Sequence, residues 1–446
     1  MFNRVIRFSC PKKNLFYKLL IITICSFLLA GCTINPFDTK DESNILSEGS
    51  SQIIWWGLFE DEENIQPLID VYESENPDVE IVYTKKTKDN YLSEINTVLQ
   101  DGNPNTTPDI FMIHNTTVGN YSEFISNAPA SVISIDDYRS DFHDFVSEDF
   151  GYGAQVRGLP LWVDLLGVVY HRNLLLDTGD TVISYDWSSF LRQAENMTTL
   201  DEEEQIERGG FSAGTSSNVE FYFEVLNLLL LQARDTELTE EARAVPFMEE
   251  ERDQIDEALV FYRSFEDKTW NDQFKLDTAA FIEGDLSSII VPTWRILDIL
   301  AFNEERNLQL DLGVSQVPQL NPETSMQVNF PTYWGFVVSK DSTQKTQAWE
   351  LLKFLGEKDT QELYMQTQID NGRPFAMISS RNDLVSNQTD NEYLAPYIES
   401  IPYTHSWYMI NGHKLKEVYA GVIDGGTTLD DLLEVFEDIK DNQNVL

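Results

Sequence analysis

The sequence predicts an α/β protein divided into at least two lobes, and three observations carry that reading. A chain of 446 residues exceeds what one ordinary core supports. Its 42% hydrophobic and 12% aromatic content is ample for burial. From residue 52 onward, short apolar runs alternate with stretches of helical period, the grammar of a parallel sheet covered by helices.

The elements follow in order. Residues 52–58, QIIWWGL, form a first strand, with Trp55, Trp56 and Glu60 at its carboxyl end. Residues 63–75 place Ile65, Leu68, Ile69 and Tyr72 at helical spacing, Pro77 ends that helix, and 79–83 is a second strand. Residues 91–99 read as a helix with Leu92, Ile95 and Leu99 on one face, and 108–113, PDIFMI, is a third strand closing on His114 and Asn115. In open sheets of this kind ligands gather beyond the carboxyl ends of the strands, so Trp55, Glu60 and Asn115 become prospective neighbours.

Residues 158–176, GLPLWVDLLGVVYHRNLLL, pass from an extended Gly-Leu-Pro through Trp162 and Asp164 into a β-branched run, a buried strand by pattern. Trp162 and Asp164 offer either a stacking face beside a hydrogen-bond acceptor, or a core strand whose carboxylate caps a turn. Further along, Asp186 is an N-cap for a helix to about 197, 201–208 is a charged surface excursion and 211–213 a short strand. Helices follow at 218–233 and 255–265, and strands at 288–291 and 312–314. A strand at 333–339 leads into a helix at 347–355. An acidic tail helix at 429–439 packs through Leu432, Leu433, Val435, Phe436 and Ile439.

The net charge is −44, and five of the 31 basic residues lie within residues 1–31, where no acidic residue occurs. The remainder sets 26 basic against 75 acidic side chains, a surface that repels phosphate backbones and anionic headgroups and excludes nucleic acid as a partner. Cys10, Cys25 and Cys32 are the only cysteines, so the body holds no disulfide, thiolate metal site or cysteine nucleophile. The five histidines are scattered, and no Gly-x-Ser-x-Gly, HExxH or phosphate-binding glycine loop is present. No metal, cofactor or catalytic residue is therefore assigned.

A basic region to Lys18 precedes the eleven-residue apolar run LLIITICSFLL, the length of an export-signal core and short for a permanent span. It ends in Leu29-Ala30-Gly31-Cys32, which resembles the bacterial lipobox; the resemblance implies a signal peptide over 1–31 and lipidation of Cys32, anchoring the chain to the bacterial membrane. Residues 32–51 are polar and read as a flexible tether.

Beyond the tether, the order of WWGLFE, PDIFMI, GLPLWVDLLGVVYHRNLL, DWSSFL, AAFIEGDLSSIIVPTW, LGVSQVP, YWGFVVSKDSTQKTQAWELLKFL and IPYTHSWYMI resembles the extracellular solute-binding lipoproteins of ABC importers, in particular the sugar-binding family that includes maltose-binding protein. The resemblance implies a two-lobe, periplasmic-binding-protein-like (type II) α/β fold with an interlobe cleft. It places lobe 1 at 52–157 plus 318–366, lobe 2 at 165–314 plus 373–446, and hinge crossings at 158–164, 315–317 and 367–372. Carried over by position, the ligand-binding residues are Trp55 or Trp56, Glu60, Asn115, Asp164, Trp294, Trp407 and Arg373. Tyr333 stands where many relatives have glycine and projects toward the cleft, and Asn371-Gly372-Arg373-Pro374-Phe375 replaces the usual Leu-Pro-Ala-Arg segment. The implied function is a membrane-anchored, extracytoplasmic carbohydrate carrier serving an ABC permease. A sensor or adhesion lipoprotein on the same fold, and a polysaccharide-acting enzyme built from aromatic subsites and paired carboxylates, are the alternatives.

Overall fold

The computed structural model describes residues 51–234, 247, 249–320, 327–409 and 412–442. The expected signal peptide, Cys32 and nearly all of the tether lie outside the described residues. Residues 49–446 form one compact unit.

A five-stranded sheet is the first layer, its strands in the order β2 (Val79–Lys85), β1 (Ser51–Gly57), β3 (Ile110–His114), β13 (Trp334–Ser339) and β4 (Ile125–Ser126). β1 (Ser51–Gly57) runs parallel to β2 (Val79–Lys85) and to β3 (Ile110–His114), which accounts for the two helices Glu62–Glu75 and Lys88–Asp101 needed as crossovers. β4 (Ile125–Ser126) is a short edge. After the hairpin β5 (Gly151–Tyr152) and β6 (Gln155–Val156) come β7 (Trp162–Val163) and β8 (Leu166–His171). A second hairpin, β9 (Thr199–Leu200) with β10 (Ile206–Arg208), precedes β11 (Ser288–Pro292) and β12 (Leu312–Ser315), which flank β8 in an antiparallel three-stranded sheet. β13 (Trp334–Ser339) then returns to the first sheet, antiparallel to β3, and β14 (Ile378–Ser379) pairs with β7.

The chain between the sheets is braced on both sides. Leu159 and Leu165 form bridges with Phe336 and Pro331, while Val163 and Trp162 pair with Ile378 and Ser379. Gly167 in β8 is a packing requirement, because a Cβ there would lie 2.6 Å from the Tyr397 ring, whose hydroxyl donates to the Val291 carbonyl at 3.2 Å.

Four expectations need correction. Leu92 is 51% exposed; Tyr91, Ile95 and Leu99 make the buried face, since Tyr91 both donates to Met112 O and accepts from Met112 N at the edge of β3. Residues 211–213 form no strand, and pairing falls instead within the charged 201–208 excursion as part of the β9–β10 hairpin. Residues 318–320, assigned to the first lobe, hydrogen-bond to Tyr185, Trp187 and Gln232 beside the three-stranded sheet, so the passage to the first sheet occurs across 329–333. Residues 367–370 complete the helix Lys358–Asp370, so only 371 and 372 of the expected third crossing lie beyond a helix. The tail helix Leu429–Asn442 buries all five expected apolar residues.

Candidate functional site

A cavity of about 740 Å³ opens between the carboxyl ends of β1 and β3 on one side and the amino-terminal turns of two helices on the other. Phe59, Glu60, His114, Thr116 and Thr117 follow the strand ends; Leu92 and Lys88 come from the helix Lys88–Asp101. Across from them stand Phe221, Phe223 and Glu224 at the start of the helix Tyr222–Gln232, and Trp294, Leu297 and Asp298 from the helix Thr293–Arg306. Trp162, Asp164, Thr332, Trp334, Arg373 and Met377 join the lining from the connecting segments and the start of β13, and Asn120, Tyr121, Met409, Gly412, His413 and Lys416 close it at one end.

Glu60 and Arg373 meet as a bidentate pair, with Nη1 to Oε1 and Nη2 to Oε2 both at 2.9 Å. Glu60, only 2% exposed, also accepts from Asn64 Nδ2 at 2.7 Å and Tyr364 Oη at 2.8 Å. Its acceptor capacity is thus taken up by the protein, and its role is to hold Arg373 at the wall. The turn carrying Arg373 is fixed by an irregularity in the neighbouring helix. Pro67, inside Glu62–Glu75, cannot donate to the Glu63 carbonyl four residues back, and Asn371 Nδ2 donates to that carbonyl at 3.2 Å.

Asp164 is buried and accepts from the Trp294 backbone N–H at 3.1 Å, in the first turn of the helix Thr293–Arg306. That helix has Pro292 at its N-cap and no side-chain cap of its own, so Asp164 supplies the missing acceptor from across the chain. Burial pushes its carboxyl up to about 7, against the opposing pull of the Trp294 amide, a Trp162 side-chain hydrogen bond, Arg373 and Lys88. The two sequence readings of Asp164 therefore coexist in one residue: it caps a helix and it lines the cavity.

His114 is held neutral: burial, then the Lys88 charge, press its pKa down to about 3. Its ring contacts Thr116 Oγ1 at 2.8 Å and Thr332 Oγ1 at 3.1 Å, and lies edge-on to Trp334 with centroids 5.4 Å apart. Trp334 also meets Phe59 at 6.0 Å and Tyr91 at 6.1 Å. Trp294 stacks under the Arg295 guanidinium at 4.2 Å and approaches Phe221 at 5.8 Å. The cavity thus presents several aromatic faces with a small set of placed polar groups between them.

Four of the nine residues proposed from sequence come together here: Glu60, Asp164, Trp294 and Arg373. The other five do not reach the cavity. Trp55 points into the first-sheet core between Tyr83 and Phe336 and is fully buried, while its neighbour Trp56, on the opposite face of the strand, lies under Lys86 at 3.9 Å. Asn115 and Tyr333 are buried donors to Asp149 Oδ2, at 3.0 and 2.7 Å. Trp407 is buried and donates from Nε1 to Asn227 Oδ1 at 3.0 Å. Sequence reasoning missed Trp334, Phe59 and Glu224. For Trp334 the signal existed: it begins a strand antiparallel to β3, opposite His114. Among the described residues no cluster of histidine, cysteine and carboxylate side chains is arranged to hold a metal ion, and no helix is long and apolar enough to cross a membrane.

The family profile described as bacterial extracellular solute-binding protein matches residues 68–392, and the chain belongs to that family. The body therefore works outside the cytoplasm. The fold is that of solved type II binding proteins. The sugar-binding protein MalE from Xanthomonas citri is 14% identical, with a TM-score of 0.67 over 88% of this chain and 98% of that one. An ABC substrate-binding protein from Listeria monocytogenes in complex with cycloalternan is 16% identical at a TM-score of 0.67, covering 89% and 98%. The cyclic alpha-maltosyl-1,6-maltose binding protein from Arthrobacter globiformis is 18% identical at 0.66, covering 89% and 99%. All three are binding proteins by description. No curated protein matches the sequence.

Proposed function

We propose that this protein captures a carbohydrate in the cavity and delivers it to the membrane subunits of an ABC importer, held at the membrane by a lipid on Cys32. The observation that carries the reading is the pairing of aromatic faces with fixed polar groups: Trp162, Trp294, Trp334, Phe59 and Phe221 share the wall with Asp164, Arg373 and Thr332. A saccharide has apolar C–H faces and a rim of hydroxyls, and such a wall matches both. The described solved relatives of this fold that bind sugars support the same ligand class. The protein acts as a carrier and leaves its ligand chemically unchanged. The sets of elements around the two sheets act as two lobes, and ligand favours the arrangement in which both touch it.

Titration calorimetry of the full-length protein in a non-glycosidic detergent, against linear and cyclic oligosaccharides, tests the reading. Saturable binding without release of new reducing ends is expected, and Trp294→Ala should weaken it by about 1–3 kcal/mol through loss of one stacking face. Absence of binding to every saccharide, or hydrolysis of the bound one, overturns it. Metabolic labelling with a lipid precursor should mark the wild type and fail to mark Cys32→Ala.

A further inference from the structure

Four carboxyl side chains line the cavity, and the described residues hold only two of them in the salt bridges that follow. Glu60 is paired with Arg373 and Asp298 with Arg295. Asp164 and Glu224 form no ion pair among the described residues, although both line the cavity. Glu224 Oε2 is shut off from water and receives no hydrogen bond among the described residues. A part-buried acid without a counter-charge is held against its own desolvation, and a bound cation would relieve that cost. Lys416, the strongest attractive charge acting on Glu224, also lines the cavity, but its exposed side chain lies over the Tyr222 and Phe223 rings and makes no ion pair with Glu224 among the described residues.

A second observation shows where a cation would sit. Lys88 extends its ammonium between rings from opposite walls, 5.9 Å from the Phe59 centroid and 5.7 Å from the Trp294 centroid. Both unpaired carboxyls feel that charge, which draws each toward its ionised form. The chain's own ammonium thus occupies a position between aromatic faces in the field of two acids that form no ion pair, the arrangement by which proteins recognise ligand cations.

We propose that the cavity takes a saccharide carrying a protonated amino group, with Glu224 and Asp164 as its counter-charges and the Phe59–Trp294 gap as its entry. This rests on the carbohydrate reading above and narrows it to a ligand class. Lys88 is then a competitor for the site, displaced into solvent as the ligand's ammonium arrives.

The test compares three oligosaccharide probes by calorimetry on the full-length protein: glucosamine oligomers, the same oligomers N-acetylated, and galacturonate oligomers. The free-amine series should bind at least ~10-fold more tightly than its N-acetylated counterpart, a factor expected for one charge-assisted contact. Glu224→Gln and Asp164→Asn, each checked for a cooperative thermal transition, should shrink that preference, and Lys88→Gln, by removing the competing ammonium, should widen it. Equal or tighter binding of the N-acetylated or galacturonate probe overturns the proposal while leaving the carbohydrate reading intact. So does an amine preference that survives both carboxamide variants. Failure of all three probes and of neutral glucans would instead sink the carbohydrate reading itself.

Discussion

Asp164 serves two masters, and its chemistry at neutral pH reflects the compromise. As a helix cap it is best ionised, because the helix N-terminus carries partial positive charge; as a buried group it is best neutral. Burial wins in part, setting the folded value near 7 against 3.8 for the free side chain. A carboxyl raised on folding stabilises the fold fully below its free pKa and loses that contribution as pH rises through the folded one. The melting temperature of Asp164→Asn relative to wild type should therefore move in the variant's favour between about 3.8 and about 7. A difference that stays flat across this window would show that the carboxyl titrates normally. Asp164 was legible in the sequence because a carboxylate directly before a β-branched run has few other uses. The sidedness of Trp55 and Trp56 was not: alternation says that one faces in and the other out, but only β2 and β13 packed around them decide that Trp55 belongs to the core.

At the scale of elements, the order of strands and helices was readable from period and punctuation, while the partners of each loop were not. The segment 404–409 shows why. Its aromatic content suggested a cleft wall, yet only Met409 lines the cavity and the rest is a strut: Met409 N donates to Thr116 O at 2.7 Å, Tyr408 Oη to Glu148 O at 2.6 Å, and Ser406 Oγ to Asp149. Asp149 gathers Asn115, Tyr333 and Ser406 from three distant stretches, and nothing local in any of them announces the others. The strut joins elements of the five-stranded sheet to the chain beside Asn329, whose carbonyl accepts from His405 N at 3.0 Å. Tyr333→Phe removes one donor to a buried carboxylate and should cost about 1–2 kcal/mol in denaturant unfolding, with saccharide affinity unchanged. An affinity loss beyond ~10-fold would return Tyr333 to the cavity.

For the whole molecule, the decisive property is that no single sheet builds the cavity. Phe59, Glu60 and Trp334 come with the first sheet; Phe221, Glu224 and Trp294 come with elements around the second; and the segments 159–165 and 331–336 run side by side between them. A ligand in contact with both walls adds free energy only to arrangements in which the walls are close, so it shifts the population toward them by its differential affinity. The sequence supports a direct measurement, since no cysteine lies beyond Cys32. Spin labels at Thr97→Cys, exposed on the helix Lys88–Asp101, and Phe302→Cys, 38% exposed on Thr293–Arg306, report the separation of the two walls from outside the cavity. Saturating ligand should narrow the distance distribution and shift it to shorter values. A distribution indifferent to a ligand that binds saturably would mean that the cavity is rigid, and that any signal to a membrane partner travels by some route other than approach of the two walls.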